Sequence, residues 1–223
     1  MVAPSSISTR RFPDPIRIEL QVAYARAWES LTATHEIQAV AFVRNLRNRL
    51  GTEEALHRYF RDVAVPMQMQ ETVRARAFLA LTPDERAHQG PDFAEYTAAR
   101  GPQRMVEALR RRAQYVEETS LACRLAASLA DEAVSLNHVM MALEVADILR
   151  PVMAVDEALV HYIRAFELSS VPAQLVFQRA LARVAERQPV LAPKVESEPV
   201  LESGPRLRNA SRPTPSFGLR AIG

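Results

Sequence analysis

Residues 103–150 read QRMVEALRRRAQYVEETSLACRLAASLADEAVSLNHVMMALEVADILR, a stretch with neither glycine nor proline. Pro102 precedes it and Pro151 ends it. Nothing in it breaks a helix, yet its length exceeds that of an ordinary globular helix. The sequence therefore predicts two helices here, meeting near Glu118–Ser120 or Ser135–Asn137. Downstream, helices are expected over about 153–167 and 172–187, the second opening at Pro172.

Upstream the period stays helical. Val22, Ala25, Trp28 and Leu31 recur every three residues, and Val40, Val43, Leu46 and Leu50 form a second set. Gly51 is expected to stop that second helix, and Thr52 with Glu53 and Glu54 to cap the next. Ala55, Leu56, Tyr59 and Phe60 give its apolar face, which ends near Pro66. A helix over about 68–81 follows, then Thr82-Pro83-Asp84-Glu85, a cap-plus-proline start. Gly90-Pro91 and Gly101-Pro102 bracket a loop-rich segment. No strand and no internal repeat is evident.

The expected fold is all-α: a single helical-bundle domain of about seven to eight helices over residues 14–187. A flexible N-terminal arm covers 1–13 and a disordered Pro-rich tail covers 188–223, where Pro, Ser and charge dominate. The chain has 223 residues and an apolar content of 48%, enough for a real core. No apolar run is long enough for a membrane span, and no signal segment follows Met1. One cysteine, Cys123, excludes a disulfide scaffold. A soluble, intracellular protein is expected.

The net charge is +2, with twenty-seven arginines against the single Lys194. Counting by segment gives a neutral stretch over 1–187 and a positive tail. Within the neutral part, residues 1–80 carry +3, residues 100–128 carry +3 and residues 129–167 carry −5. Arg44, Arg47 and Arg49 form one basic cluster, with Arg58 and Arg61 beyond. Arg100, Arg104 and Arg111 fall on one helical face, flanked by Arg110 and Arg112. Such stripes suit a phosphodiester backbone, because a guanidinium forks two hydrogen bonds onto phosphate. They equally suit a solvated face paired with Glu107, Glu117 and Asp131, or a basic face meeting the acidic segment of a neighbouring copy.

Catalytic signatures are missing. No Walker loop, Gly-x-Ser-x-Gly or Gly-x-Gly-x-x-Gly occurs. Glu54–His57 and Glu85–His88 have metal-ligand spacing but lack the long partner helices of a di-iron bundle. Cys123, among Leu121, Ala122 and Leu125, reads as a packed thiol. No enzyme, metal or cofactor is expected. Residues 55–78 can be read as a helix-turn-helix with Arg74 and Arg76 on its second helix.

Ile163-Arg164-Ala165-Phe166-Glu167, followed by Val171-Pro172-Ala173, resembles the C-terminal signature of coat proteins of flexuous filamentous plant RNA viruses. The resemblance implies an ion pair inside the subunit between Glu167 and an upstream arginine, here Arg124 in Cys123-Arg124-Leu125-Ala126. It departs from the family at Glu167, where aspartate is usual, and at Leu168, where a second aromatic is. It also implies a virion or host-cytoplasm location, the cytoplasm applying otherwise.

These features lead to the expectation of a non-enzymatic, self-assembling protein that coats single-stranded RNA. Arg44, Arg47, Arg49, Arg104, Arg110, Arg111 and Arg112 would contact phosphates, and Arg124 with Glu167 would form a structural pair. The expected partners are further copies of the chain and RNA, with no membrane and no small-molecule substrate. The alternatives are a DNA-binding helix-turn-helix regulator that dimerises through its long helices, or a helical protein-interaction adaptor.

Overall fold

The computed structural model of the chain describes residues 12–91 and 101–187. Among these residues every regular element is a helix and none is a strand. The elements are α1 (Asp14–Leu46), α2 (Thr52–Asp62), α3 (Met67–Ala80), α4 (Pro83–Arg86), α5 (Pro102–Leu149), α6 (Val155–Ala165) and α7 (Ser170–Arg187). The bracketed loop over 92–100, almost all of the expected arm and the whole expected tail lie outside the described residues.

Two expectations need correction. Residues 103–150 form one helix, not two, and the two short helices expected over 22–50 are likewise one, α1. The reason is mutual support, since α1 and α5 pack along each other. Helices this long hold together when a tertiary face is buried against a partner.

The expectation of no internal repeat also fails. Adding 103 to a residue number carries the first half onto the second. Both long helices then end at matching leucines, Leu46 and Leu149, and α2 over 52–62 maps onto α6 over 155–165. The first residue of α3, Met67, maps onto the first residue of α7, Ser170. Buried side chains are kept at the matching positions Ala23/Ala126, Ala39/Ala142, Leu56/Leu159 and Ala77/Ala180. The ion pair Arg76–Glu29 at 2.7 Å returns as Arg179–Glu132 at 2.8 Å.

The link between long and short helix is duplicated most plainly. In the first half His35 Nδ1 hydrogen-bonds the Tyr59 hydroxyl at 2.9 Å, and in the second His138 Nδ1 bonds the Tyr162 hydroxyl at 2.9 Å. All four rings are buried. Each tyrosine fills core volume while its hydroxyl finds the polar partner that burial demands. Just beyond, Ala64 and Glu167 both take a left-handed φ of 50°. The following amides, of Val65 and Leu168, donate back to the carbonyls of Phe60 and Ile163 at 3.3 and 3.2 Å. That is the helix-ending turn in which a left-handed residue lets the orphan carbonyls be satisfied.

Within each half the long helix is the platform: α2 and α3 pack on α1, and α6 and α7 pack on α5. The halves join where α1 meets α5. There the Asn137 amide donates to the Ser30 carbonyl at 3.2 Å and to the Thr34 hydroxyl. Asn137 is the counterpart of Thr34, so a residue meets its own equivalent, as happens beside a two-fold relation.

The halves differ in what fills the space between short helix and opposite long helix. Phe166 of the second half lies 4.6 Å from Tyr162, 6.0 Å from Tyr24 and 6.5 Å from Trp28, centre to centre. The matching positions hold Val63 in the first half and, across from it on α5, Ala127 and Asp131.

Candidate nucleic-acid interface

The sequence-predicted arginines fall on the end of α1 and the beginning of α5. These two places adjoin. The Tyr115 hydroxyl donates to the Arg49 carbonyl, and the Arg49 guanidinium reaches Glu118 at 3.3 Å. Glu118 also accepts from Gln114 at 2.9 Å. Arg110, Arg111 and Arg112 therefore lie within about 5–8 Å of that junction along the helix axis, at 1.5 Å per residue.

From Pro102 to Glu118 almost every side chain of α5 is exposed. The segment projects with few neighbours, and it has no counterpart among the described residues of the first half, where α1 begins at Asp14, the match of Glu117. Arg104 and Arg111, seven apart, lie off the apolar face of Met105, Leu109 and Val116, whereas Arg112 is in line with it, seven residues after Met105 and four before Val116.

The seven arginines divide into two groups. Arg44 pairs with Glu85 at 2.9 Å, Arg49 with Glu118, and Arg111 with Glu107 one turn away. The Arg44 hydrogen bond, seconded by the Thr82 amide, holds the Glu85 carboxyl down to about 2. Arg47, Arg104, Arg110 and Arg112 have no ion pair among the described residues. Arg100 lies outside those residues.

The expected Arg124–Glu167 pair is not formed. Both residues are exposed and no ion pair joins them. Phe166 is the residue that turns inward, and Glu167 follows at the left-handed position that ends α6, pointing its carboxylate to water. Arg124→Ala and Glu167→Ala are accordingly expected to leave the thermal midpoint unchanged. Glu167→Gly should stabilise by about 1 kcal/mol, because glycine takes a left-handed φ without the Cβ penalty. Melting curves of the three variants check this, and a loss of several degrees in either alanine variant would contradict it.

The helix-turn-helix reading meets an obstacle in its own arginines. α2, the turn at 63–66 and α3 do occur, but Arg74 pairs with Glu53 and Arg76 forks onto Glu29 of α1. The unit recurs as α6 and α7, which marks it as the repeated building block of the fold. The two Glu-x-x-His pairs serve structure. Glu54 pairs with Arg58 at 3.7 Å, and His88 Nε2 donates to the Arg47 carbonyl at 2.6 Å, tying the end of α4 to the end of α1. Among the described residues no three His, Cys, Asp or Glu side chains gather as a metal site, and no helix is long and apolar enough to cross a membrane.

Fold and site together define an all-α protein of two tandem copies of a long-short-medium helix unit, with a basic helix projecting from one. No family model, curated protein or solved structure matches the chain.

Proposed function

We propose that the chain is a non-enzymatic, self-associating structural protein that coats single-stranded RNA, of coat or nucleocapsid type. The observation that supports this best is the set of arginines with no ion pair among the described residues, Arg104, Arg110 and Arg112 on the exposed start of α5 and Arg47 just past the end of α1. An unpaired guanidinium on a projecting helix is free to exchange its counterion for a phosphate. Backbone contact of this kind reads no bases, which suits a surface with few aromatics.

The reading rests on these arginines and not on the flexuous-coat resemblance, whose signature pair is not made. Arg44, Arg49 and Arg111 take a secondary place, because each must first leave a carboxylate.

The test is a salt titration of binding to single-stranded RNA, with duplex DNA alongside. Four phosphate contacts imply that affinity falls roughly 50-fold between about 50 and about 200 mM salt. Replacing Arg47, Arg104, Arg110 and Arg112 together by Gln is expected to reduce the log–log slope by about 3. Binding that ignores salt, or a slope unchanged in the quadruple variant, would overturn the proposal. Preference for duplex DNA would favour the regulator instead.

A further inference from the structure

The projecting segment of α5 has an apolar face that no described residue of its own chain covers. Met105 is 53% exposed, Leu109 59% and Val116 58%. Their spacing of four and seven continues into Cys123 and Ala130, which are buried. One face of one helix is thus buried against the body downstream and uncovered upstream. A second apolar stripe runs along α5 on another side: Leu121, Leu125, Leu129, Leu136 and Met140, each at least 40% exposed. Steps of four, four, seven and four hold it to one face. Isolated exposed leucines are ordinary, but two ordered stripes on one helix are not.

Charge distinguishes them. Around the first stripe, residues 103–112 carry four arginines against Glu107. Around the second, residues 121–140 carry Asp131 and Glu132 against Arg124, and Glu144 and Asp147 follow within two turns of Met140. Glu132, Glu144 and Asp147 are engaged by Arg179, Arg26 and Arg187 in solvent-exposed pairs, which hold little energy and exchange readily. α1 repeats the outer stripe only in part, with Ile18, Val22 and Ile37 at the places of Leu121, Leu125 and Met140 but Arg26 at that of Leu129.

We infer that the basic projecting segment of one copy lays its Met105–Leu109–Val116 face on the acidic-flanked Leu121–Met140 stripe of the next copy's α5. Donor and acceptor are different surfaces, so the contact is head-to-tail and adds subunit after subunit, in a filament or a closed ring. Arg112, in line with that apolar face, meets the acidic flank, while Arg104, Arg110 and Arg111 stay outward, where a single RNA strand can bridge successive copies and add avidity. The inference rests on the self-association in the coating proposal and names its contact.

Two variants test it: Met105→Glu with Leu109→Glu blocks the donor, and Leu125→Glu with Leu129→Glu blocks the acceptor. All four positions are at least half exposed, so both variants should melt with the parent. In sedimentation velocity without RNA the parent is expected to form a concentration-dependent series, and each variant alone to stay monomeric. An equimolar mixture is expected to give a one-to-one dimer and nothing larger, because one intact donor meets one intact acceptor. A mixture that stays monomeric, a variant that assembles like the parent, or a parent that is monomeric throughout would overturn the contact. RNA binding separates the two proposals. A parent and variants that all assemble alike and bind RNA sink the docking alone, whereas a parent that assembles but binds no RNA sinks the coating alone.

Discussion

Between about pH 7.5 and about pH 4.5 the folded chain is expected to lose about 5 kcal/mol of stability, through its two buried histidines. Burial lowers His35 from 6.5 to about 4. Burial, with His35 nearby, lowers His138 to about 3. In the unfolded chain both protonate near 6.5, so below that value the unfolded state binds protons that the folded state refuses. Stability is whole above about pH 6.5 and drains as pH falls towards the folded values. Each histidine contributes roughly 2–3 kcal/mol over this interval. His161, lowered by burial and by Arg164, acts in the same direction.

Carboxylates do not produce this loss. Glu85, held at about 2, contributes stability that is present above the ordinary carboxylate range and fades only as pH falls from about 4.5 towards 2. The histidine window therefore lies above the Glu85 window. Set against a total of about 5–15 kcal/mol for a domain, the loss brings the chain near its unfolding midpoint at mildly acidic pH. Urea denaturation at the two pH values measures it. Exchanging both His35 and His138 for Gln is expected to lower stability at neutral pH, since the tyrosine partners change, and to remove most of the difference between the two pH values. A parent equally stable at both would contradict the account.

The residues that made the fold class legible are those with local consequences. Thr82-Pro83-Asp84-Glu85 specifies a capping box, and Thr82 and Glu85 make both of its hydrogen bonds. α3 and α7 end within a residue of the places that spacing and proline indicated. The rest depends on what lies opposite. Whether residues 103–150 bend is decided by α1, which the segment itself does not mention. Arg44 finds Glu85 forty-one positions away and Arg49 finds Glu118 sixty-nine away, so no charge count along the chain could tell occupied arginines from open ones.

The duplication did leave a trace, His35 and His138 each twenty-four residues before a tyrosine. Its neighbours obscured it. The positions that pack against the opposite half, Leu20, Tyr24 and Trp28, became Cys123, Ala127 and Asp131. Positions facing the other half answer to a different neighbour in each copy, so they diverge, whereas Ala39/Ala142 and Leu56/Leu159 answer to the same local geometry and persist. The Glu167 error has a similar origin. The resemblance implies a paired carboxylate there, but a left-handed turn points consecutive side chains in unrelated directions and leaves Glu167 exposed beside the inward Phe166.

That divergence sets up the other large effect. Phe166→Ala is expected to cost about 3–5 kcal/mol, whereas Val63→Ala at the equivalent position should cost less than half as much. Phe166 is 8% exposed and touches rings from three helices: Tyr162 of α6, His138 of α5, and Tyr24 and Trp28 of α1. Removing it opens a cavity where both halves meet, and the surrounding rings are too rigid to collapse into it. Val63 is equally enclosed at 7% exposure, but it is smaller and its counterpart neighbours are Ala127 and Asp131. The lost volume is less and water lies close by, since Asp131 is exposed. Equilibrium unfolding of the two variants at neutral pH checks the contrast. Equal losses would mean that the halves still pack alike and that the aromatic cluster adds nothing at their junction. A larger loss at Phe166 would locate there the contact that makes two repeats one cooperative unit.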